Sequence, residues 1–199
     1  MDILHRVTNR AIFRCSSSTI RDAVESAIAN GVSLACAELF GANLYEADLS
    51  DADLSHANLY YANLNRARLA GARLDNADLS HADLSKSDLA RVNLHRANLS
   101  YANLSYANLH NADLTLANMI GANVAGAYLV GADVYGTILD VYGTISTEDA
   151  SIAPRAAATP AGNRGRYQPP ANPHEHCAYV GRCVAHMLDS SVAKCDVGI

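Results

Sequence analysis

The sequence predicts an all-β solenoid, and three observations carry that expectation. From Ala37 to Val134 an apolar residue recurs every five positions, at 39, 44, 49 and onward to 134, giving twenty consecutive units. Seventeen of these centres are Leu, and the others are Met119, Val124 and Val134. Two positions earlier stands Ala in eighteen units, with Ser87 and Val92 the exceptions, and the residue between is Asp or Asn in sixteen. A fixed short period over so many units marks a repeat architecture.

A period of five fits neither regular element. On an α-helix each residue advances about 100°, so a Leu every five residues shifts by about 140° per step and never forms a stripe. On an unbroken strand the odd spacing sends alternate Leu residues to opposite faces. A short extended piece followed by a turn does fit. Ala and Leu then share an inward face, and the other three positions of each unit are expected to face outward or shape the corner. Stacked coils would pair their backbones, each coil burying its neighbour's face.

The run A-N-L-Y-E, A-D-L-S-D, A-D-L-S-H, A-N-L-Y-Y from Ala42 to Tyr61 resembles the pentapeptide-repeat family. The resemblance covers roughly residues 32 to 141. It implies a right-handed, four-sided β-helix with four units per coil, and it says little about activity, because one fold hosts many roles. Known roles in the family include binding DNA topoisomerases by imitating duplex DNA, and some members dimerise through their C-terminal ends.

The chain divides into an N-terminal cap over 1–31, the repeat β-helix over 32–145, and a linker and tail over 146–199. A helix is expected over 19–30. Thr19 can cap it, Asp22 gives an imperfect capping box, and Gly31 supplies a left-handed residue at its end. Ile20, Ala23, Val24, Ala27 and Ile28 form its apolar face. Laid across the first coil, it would shield an edge that could otherwise pair with another chain. Ile12 and Phe13 are expected in a short extended segment before it.

At the other end the V-Y-G-T-I at Val134 returns at Val141, out of register, so the solenoid is expected to stop there. Residues 146–173 combine Ala, Pro, Gly and Arg without periodicity and read as a disordered linker. His174, His176, Cys177, Cys183 and His186 are zinc-type ligands, but their spacing matches no standard finger, and no metal is expected. A weakly helical stretch over Ala178 to Leu188, packing on the last coil, is the better reading.

With twenty residues per coil, residues twenty apart stack, and surface ladders become legible. Charges alternate along Asp48, Arg68, Asp88 and along Asp53, Arg73, Asn93. Residues 34–145 hold twelve Asp or Glu and six Lys or Arg. A DNA mimic needs carboxylates spread along the rod to compete for a basic groove, and Arg66, Arg68, Arg73, Lys86, Arg91 and Arg96 interrupt them. The Asp/Asn preference is expected to reflect turn chemistry. A second ladder runs Gly41, Tyr61, His81, Tyr101, Gly121, with Tyr60 and Tyr106 expected close by. These five aromatic and His residues are expected to stack along the rod and shield its backbone, and they are also the candidate partner surface, since Tyr gives large contact area at low entropic cost. The last coil turns apolar outside at Leu116, Ile120, Tyr128, Val130, Tyr135 and Ile138, a surface expected to be covered by the following segment or by a second copy.

No nucleophile, base and orienter converge on a concave pocket, and a bore filled with Ala and Leu leaves no room for substrate. The expected function is therefore a non-catalytic protein-interaction module without cofactor, the alternative being a DNA mimic that binds DNA gyrase or another topoisomerase. Direct nucleic-acid binding is disfavoured by a surface that is not strongly basic, and ice binding by the lack of Thr ladders. No run of 18 apolar residues indicates a membrane span. The start, MDILHRVTNRAIFRC, lacks the apolar core of a secretory leader. Five irregularly spaced Cys suit reduced thiols. A cytoplasmic location is expected.

Overall fold

The computed structural model describes residues 1–138. The expected linker, the His/Cys cluster and the stretch at 178–188 lie outside the described residues. Within them the repeat winds into a four-sided parallel β-helix. Every wall pairs with the wall twenty residues on, from Glu38 with Asn58 to Asn118 with Ile138. Four five-residue units therefore complete one coil. Wall 1 carries Glu38, Asn58, Asp78, Asn98, Asn118 and Ile138 at its centre, and wall 2 carries Asn43, Asn63, Asp83, Asn103 and Asn123. Wall 3 carries Asp48, Arg68, Asp88, Asn108 and Tyr128, and wall 4 carries Asp53, Arg73, Asn93, Asp113 and Asp133.

The backbone of each unit is accounted for by a few bonds repeated with little change. The N–H of Leu39 donates to the carbonyl of Asn58 at 2.8 Å, and the N–H of Asn58 donates back to Ala37 at 2.9 Å. The N–H of Ala42 donates to Leu39 at 3.0 Å and closes the corner. That corner has a left-handed residue at its third position, which is the type II turn pattern. Gly takes this conformation freely, yet sixteen non-Gly residues have positive φ, and all but Asn9 and the pre-repeat Cys36 stand at that position of the repeat, from Glu46 at 56° to Leu116 at 59°. Left-handed backbone costs an L-residue roughly 1–2 kcal/mol, so inter-coil bonding and bore packing must over-determine it.

The bore is the core. Leu44 through Leu114 are essentially inaccessible to water, as are the Ala residues beside them. Fully burying a Leu contributes about 1.5–3 kcal/mol, and the repeat does so once per unit. Not every corner-shaping position is exposed. The residue after Leu lies partly inside the corner, and Ser55, Ser80 and Ser85 there are only 5–6% exposed. They are tolerated because each hydroxyl donates to the Asp two residues before it, as Ser85 does to Asp83 at 2.5 Å.

The N-terminal segment adds three elements. β1 (Asp2–His5) pairs antiparallel with β2 (Ala11–Arg14) and also with β3 (Ala37–Glu38), the first piece of wall 1. The hairpin thus shares with the helix the work of covering the first coil. The helix α1 (Ile20–Ala29) is capped by Thr19, whose hydroxyl accepts from the N–H of Asp22 at 3.1 Å. It ends in a Schellman motif: Val32 N–H donates to Ala27, Gly31 N–H donates to Ile28, and Gly31 has φ 68°. Ala23, Val24 and Ala27 belong to the same buried cluster as the bore, with Ile20 and Ile28 packed against it. Arg21 donates to the carbonyl of Tyr45, and Glu25 accepts from the N–H of Asp48, which ties α1 to the first coil.

Candidate interaction surface

The central Asp or Asn of each unit does a local job. Its Oδ1 accepts from the backbone N–H two residues on, as in Asn43 to Tyr45, Asp83 to Ser85 and Asn118 to Ile120. This is an Asx-turn, and it explains the preference without any partner. Where the next coil offers Asn, its amide donates to the same oxygen, giving ladders such as Asn98 on Asp78, Asn103 on Asp83 and Asn108 on Asp88. Hydrogen bonds from the Ser50 hydroxyl and N–H hold the Asp48 carboxyl below its ordinary range, helped by Arg68. Burial pushes Asp53 up, but donation from Ser33 and Ser55 outweighs it and the net direction is down.

The two charge ladders behave differently. Arg68 meets Asp48 at 3.3 Å as expected. Arg73 instead approaches Asp75 at 3.6 Å, while the oxygens of Asp53 accept from the Ser33 and Ser55 hydroxyls at 2.6 and 2.8 Å. A third pair, Arg66 with Glu46 at 3.3 Å, bridges adjacent coils on the corner after wall 2.

The corner between walls 1 and 2 assembles the aromatic ladder. Tyr61 stacks on His81 with ring centroids 4.9 Å apart and 18° between planes, and His81 stacks on Tyr101 at 5.1 Å and 16°. Tyr60 meets Tyr61 edge-on at 4.5 Å and His81 at 5.5 Å. Phe40, one coil below Tyr60, extends the stripe at 5.8 Å. Phe40 was missed in the sequence because it sits one position before the Gly41 of the ladder. Phe40, Tyr61 and Tyr101 are each more than half exposed. Desolvation, and then Tyr61 beside it, push the Tyr60 phenol above its ordinary range. At the top the Tyr101 ring lies over Gly121, where an added Cβ would come within 2.6 Å of it.

Tyr106 does not join this group. It stands on the next corner, in line with Glu46, Arg66 and Lys86, and its ring covers Gly126. The six apolar residues of the last coil also separate. Leu116 lies under Gly136 beside Tyr135, and Ile138 follows on wall 1. Ile120 is at the far end of that wall. Tyr128, stacked on His110 at 5.9 Å, and Val130 occupy wall 3 and its corner, away from the others.

Charge is distributed unevenly around the rod. Walls 1 and 2 with their shared corner contain Glu38, Asp78 and Asp83 and no Lys or Arg between residues 37 and 136. All six cations of that span, and eight of its carboxylates, lie on the other two walls and three corners. The nearest approach to a catalytic grouping is His95, whose Nδ1 is 2.6 Å from the Thr115 hydroxyl. That hydroxyl already donates to Asp113 at 2.6 Å, so it receives the imidazole N–H and offers no proton to a base. Among the described residues no group of three or more His, Cys, Asp or Glu is arranged to hold a metal. No helix there is long and apolar enough to cross a membrane.

Comparison with known proteins follows the architecture. A pentapeptide repeat protein from the Arabidopsis thaliana thylakoid lumen is 31% identical over 52% of this chain and 70% of its own, with a TM-score of 0.42. HetL, a pentapeptide repeat protein involved in heterocyst differentiation regulation from Nostoc sp. strain PCC 7120, is 36% identical over 52% of this chain and 58% of its own, at 0.35. QnrB1, a plasmid-mediated fluoroquinolone resistance protein, is 26% identical over 57% of this chain and 64% of its own, at 0.31. The chain thus spans less than two thirds of HetL and of QnrB1. No curated protein matches the chain. Pentapeptide repeats (8 copies) match residues 37–76, 77–115 and 97–136, about half the sequence, so the chain belongs to the pentapeptide-repeat family and its coils form a right-handed β-helix.

Proposed function

We propose that this protein is a non-catalytic interaction module whose rigid rod, with its N-terminal end closed by α1 and the hairpin, presents the corner between walls 1 and 2 to a protein partner. The observation that carries this reading is the exposed stack of Tyr61, His81 and Tyr101 flanked by Tyr60 and Phe40. Side chains already fixed against one another lose little entropy on binding, and Tyr is enriched among the residues that dominate interfaces. The bore supports the same reading from the other side, since Leu and Ala fill it and leave no place for substrate chemistry.

The DNA-mimic reading asks for continuous negative charge. Carboxylates are densest on walls 3 and 4, where Arg68 sits between Asp48 and Asp88 and pairs with the first. The cation-free side carries only three carboxylates. The surface therefore favours a protein partner over mimicry of duplex DNA.

The test is affinity capture with the full chain from the source cells, followed by direct binding of the captured protein. Tyr61→Ala with Tyr101→Ala should weaken that binding at least tenfold, while Arg91→Ala on the opposite side leaves it unchanged. Equal binding by all three forms would remove the aromatic corner from the proposal. Inhibition or protection of gyrase in a supercoiling assay at micromolar protein would instead restore the mimic.

A further inference from the structure

Two features mark the last described coil. Ala132 and Val134 are only partly buried, whereas Ala112 and Leu114, one coil below, are inaccessible. On the same coil the outer surface at the corner between walls 4 and 1 turns apolar. Tyr135 is 69% exposed, Ile138 50% and Leu116 43%. They are contiguous, because Leu116 N–H donates to the Tyr135 carbonyl and the Leu116 side chain lies over Gly136, two residues before Ile138. Arg96, one coil below Leu116, and Asp133, which accepts from the Tyr135 N–H, border them with one charge of each sign, and a contiguous apolar patch marks a contact surface.

We propose that the segment Ala178–Leu188 of this same chain docks on that patch, against Leu116, Tyr135 and Ile138. The sequence beyond Ile138 singles it out. All five prolines fall between 154 and 173, and none follows Pro173. In the proline-free remainder Val180, Cys183, Val184, Met187 and Leu188 recur at intervals of three and four, the spacing of a single helical face, with Arg182, His186 and Asp189 off it.

Chain connectivity favours this occupant over a second copy. Ile138 itself belongs to the patch, and about 40 residues separate it from Val180. A flexible chain of that length has a root-mean-square reach of about 35 Å, ample to return to its own origin. An attachment of this kind gives effective concentrations of order mM, above the micromolar levels at which a separate copy would have to compete. The proposal is independent of the aromatic corner, which lies one wall away.

Hydrogen exchange read by mass spectrometry on the full chain tests it. Amides of 178–188 should exchange at least tenfold more slowly than the unstructured rate, equally at low and high protein concentration. Val184→Asp with Met187→Asp alters the segment alone, and should return those amides to the unstructured rate while 37–115 keep their protection. Tyr135→Asp with Ile138→Asp should do the same from the rod side. Unprotected amides in the unaltered chain would overturn the proposal, as would protection that survives either pair of substitutions. Protection that grows with concentration, together with a dimer mass by light scattering, would overturn it in favour of a second copy.

Discussion

The side of the rod formed by walls 1 and 2 and the side formed by walls 3 and 4 share one interior and differ in almost everything outside it. Leu59, Leu79 and Leu99 on the first side and Leu69, Leu89 and Leu109 on the second are equally buried, and the same backbone bonds hold both. Outside, one side presents stacked rings without a cation, and the other presents ion pairs. The bore and the Asx-turn fix three of five positions in each unit. The two that follow Leu are free to diverge, so fold and recognition are written in different columns of one repeat.

The comparison breaks most readily at the bore. Leu79→Ala and Leu89→Ala, on opposite sides, should each cost about 2–5 kcal/mol and agree with one another in urea unfolding. Markedly unequal losses would mean that one side carries the stability of the rod. Next come the Asx-turns. Asp83→Ala removes the acceptor for Ser85 and Asn103, and Asp113→Ala the acceptor for Thr115. Each should cost roughly 1–3 kcal/mol, with Asp83→Asn milder because it keeps an oxygen for the turn.

A smaller effect of opposite sign is expected at Lys86, held at φ 60°. Lys86→Gly should raise the unfolding free energy by up to about 1 kcal/mol, seen as a higher melting midpoint, because glycine adopts left-handed backbone without penalty. The smallest effect separates the sides by pH and salt. The Asp48 carboxyl is held low in the folded rod, so its contribution is present above the unfolded value of about 3.9 and fades as pH falls through the folded value. Asp48→Asn should flatten that acid limb of a stability–pH profile. High salt should remove no more than about 1 kcal/mol from the Asp48–Arg68 pair, which is exposed on both partners.

Much of this was legible before any coordinates. A five-residue period that excludes helix and continuous strand left a stacked turn-and-strand coil, and twenty-residue spacing put Tyr61, His81 and Tyr101 in one column. The helix was legible because Thr19 and Gly31 bracket an apolar face. What escaped notice depends on competition or on remote pairing. β1 has mixed polarity over four residues, and only its pairing with Ala37 and Glu38 orders it. Arg73 pairs with Asp75, two residues on, where the twenty-residue spacing pointed to Asp53, which instead accepts from Ser33. Tyr106 lies one corner from the stack because five residues along this chain is a quarter of the way around it.

That quarter-step has a consequence for how such a rod can change length. Deleting a single unit, such as 87–91, would leave every remaining leucine pointing inward, yet swing all that follows by about a right angle about the long axis. His81 would then find Tyr106 above it in place of Tyr101, and every later column would continue the column one corner before it. Only insertions or deletions of whole turns preserve the longitudinal alignment of the surface, so tolerance to indels in this architecture is quantised, with one step size for stability and a fourfold larger one for recognition.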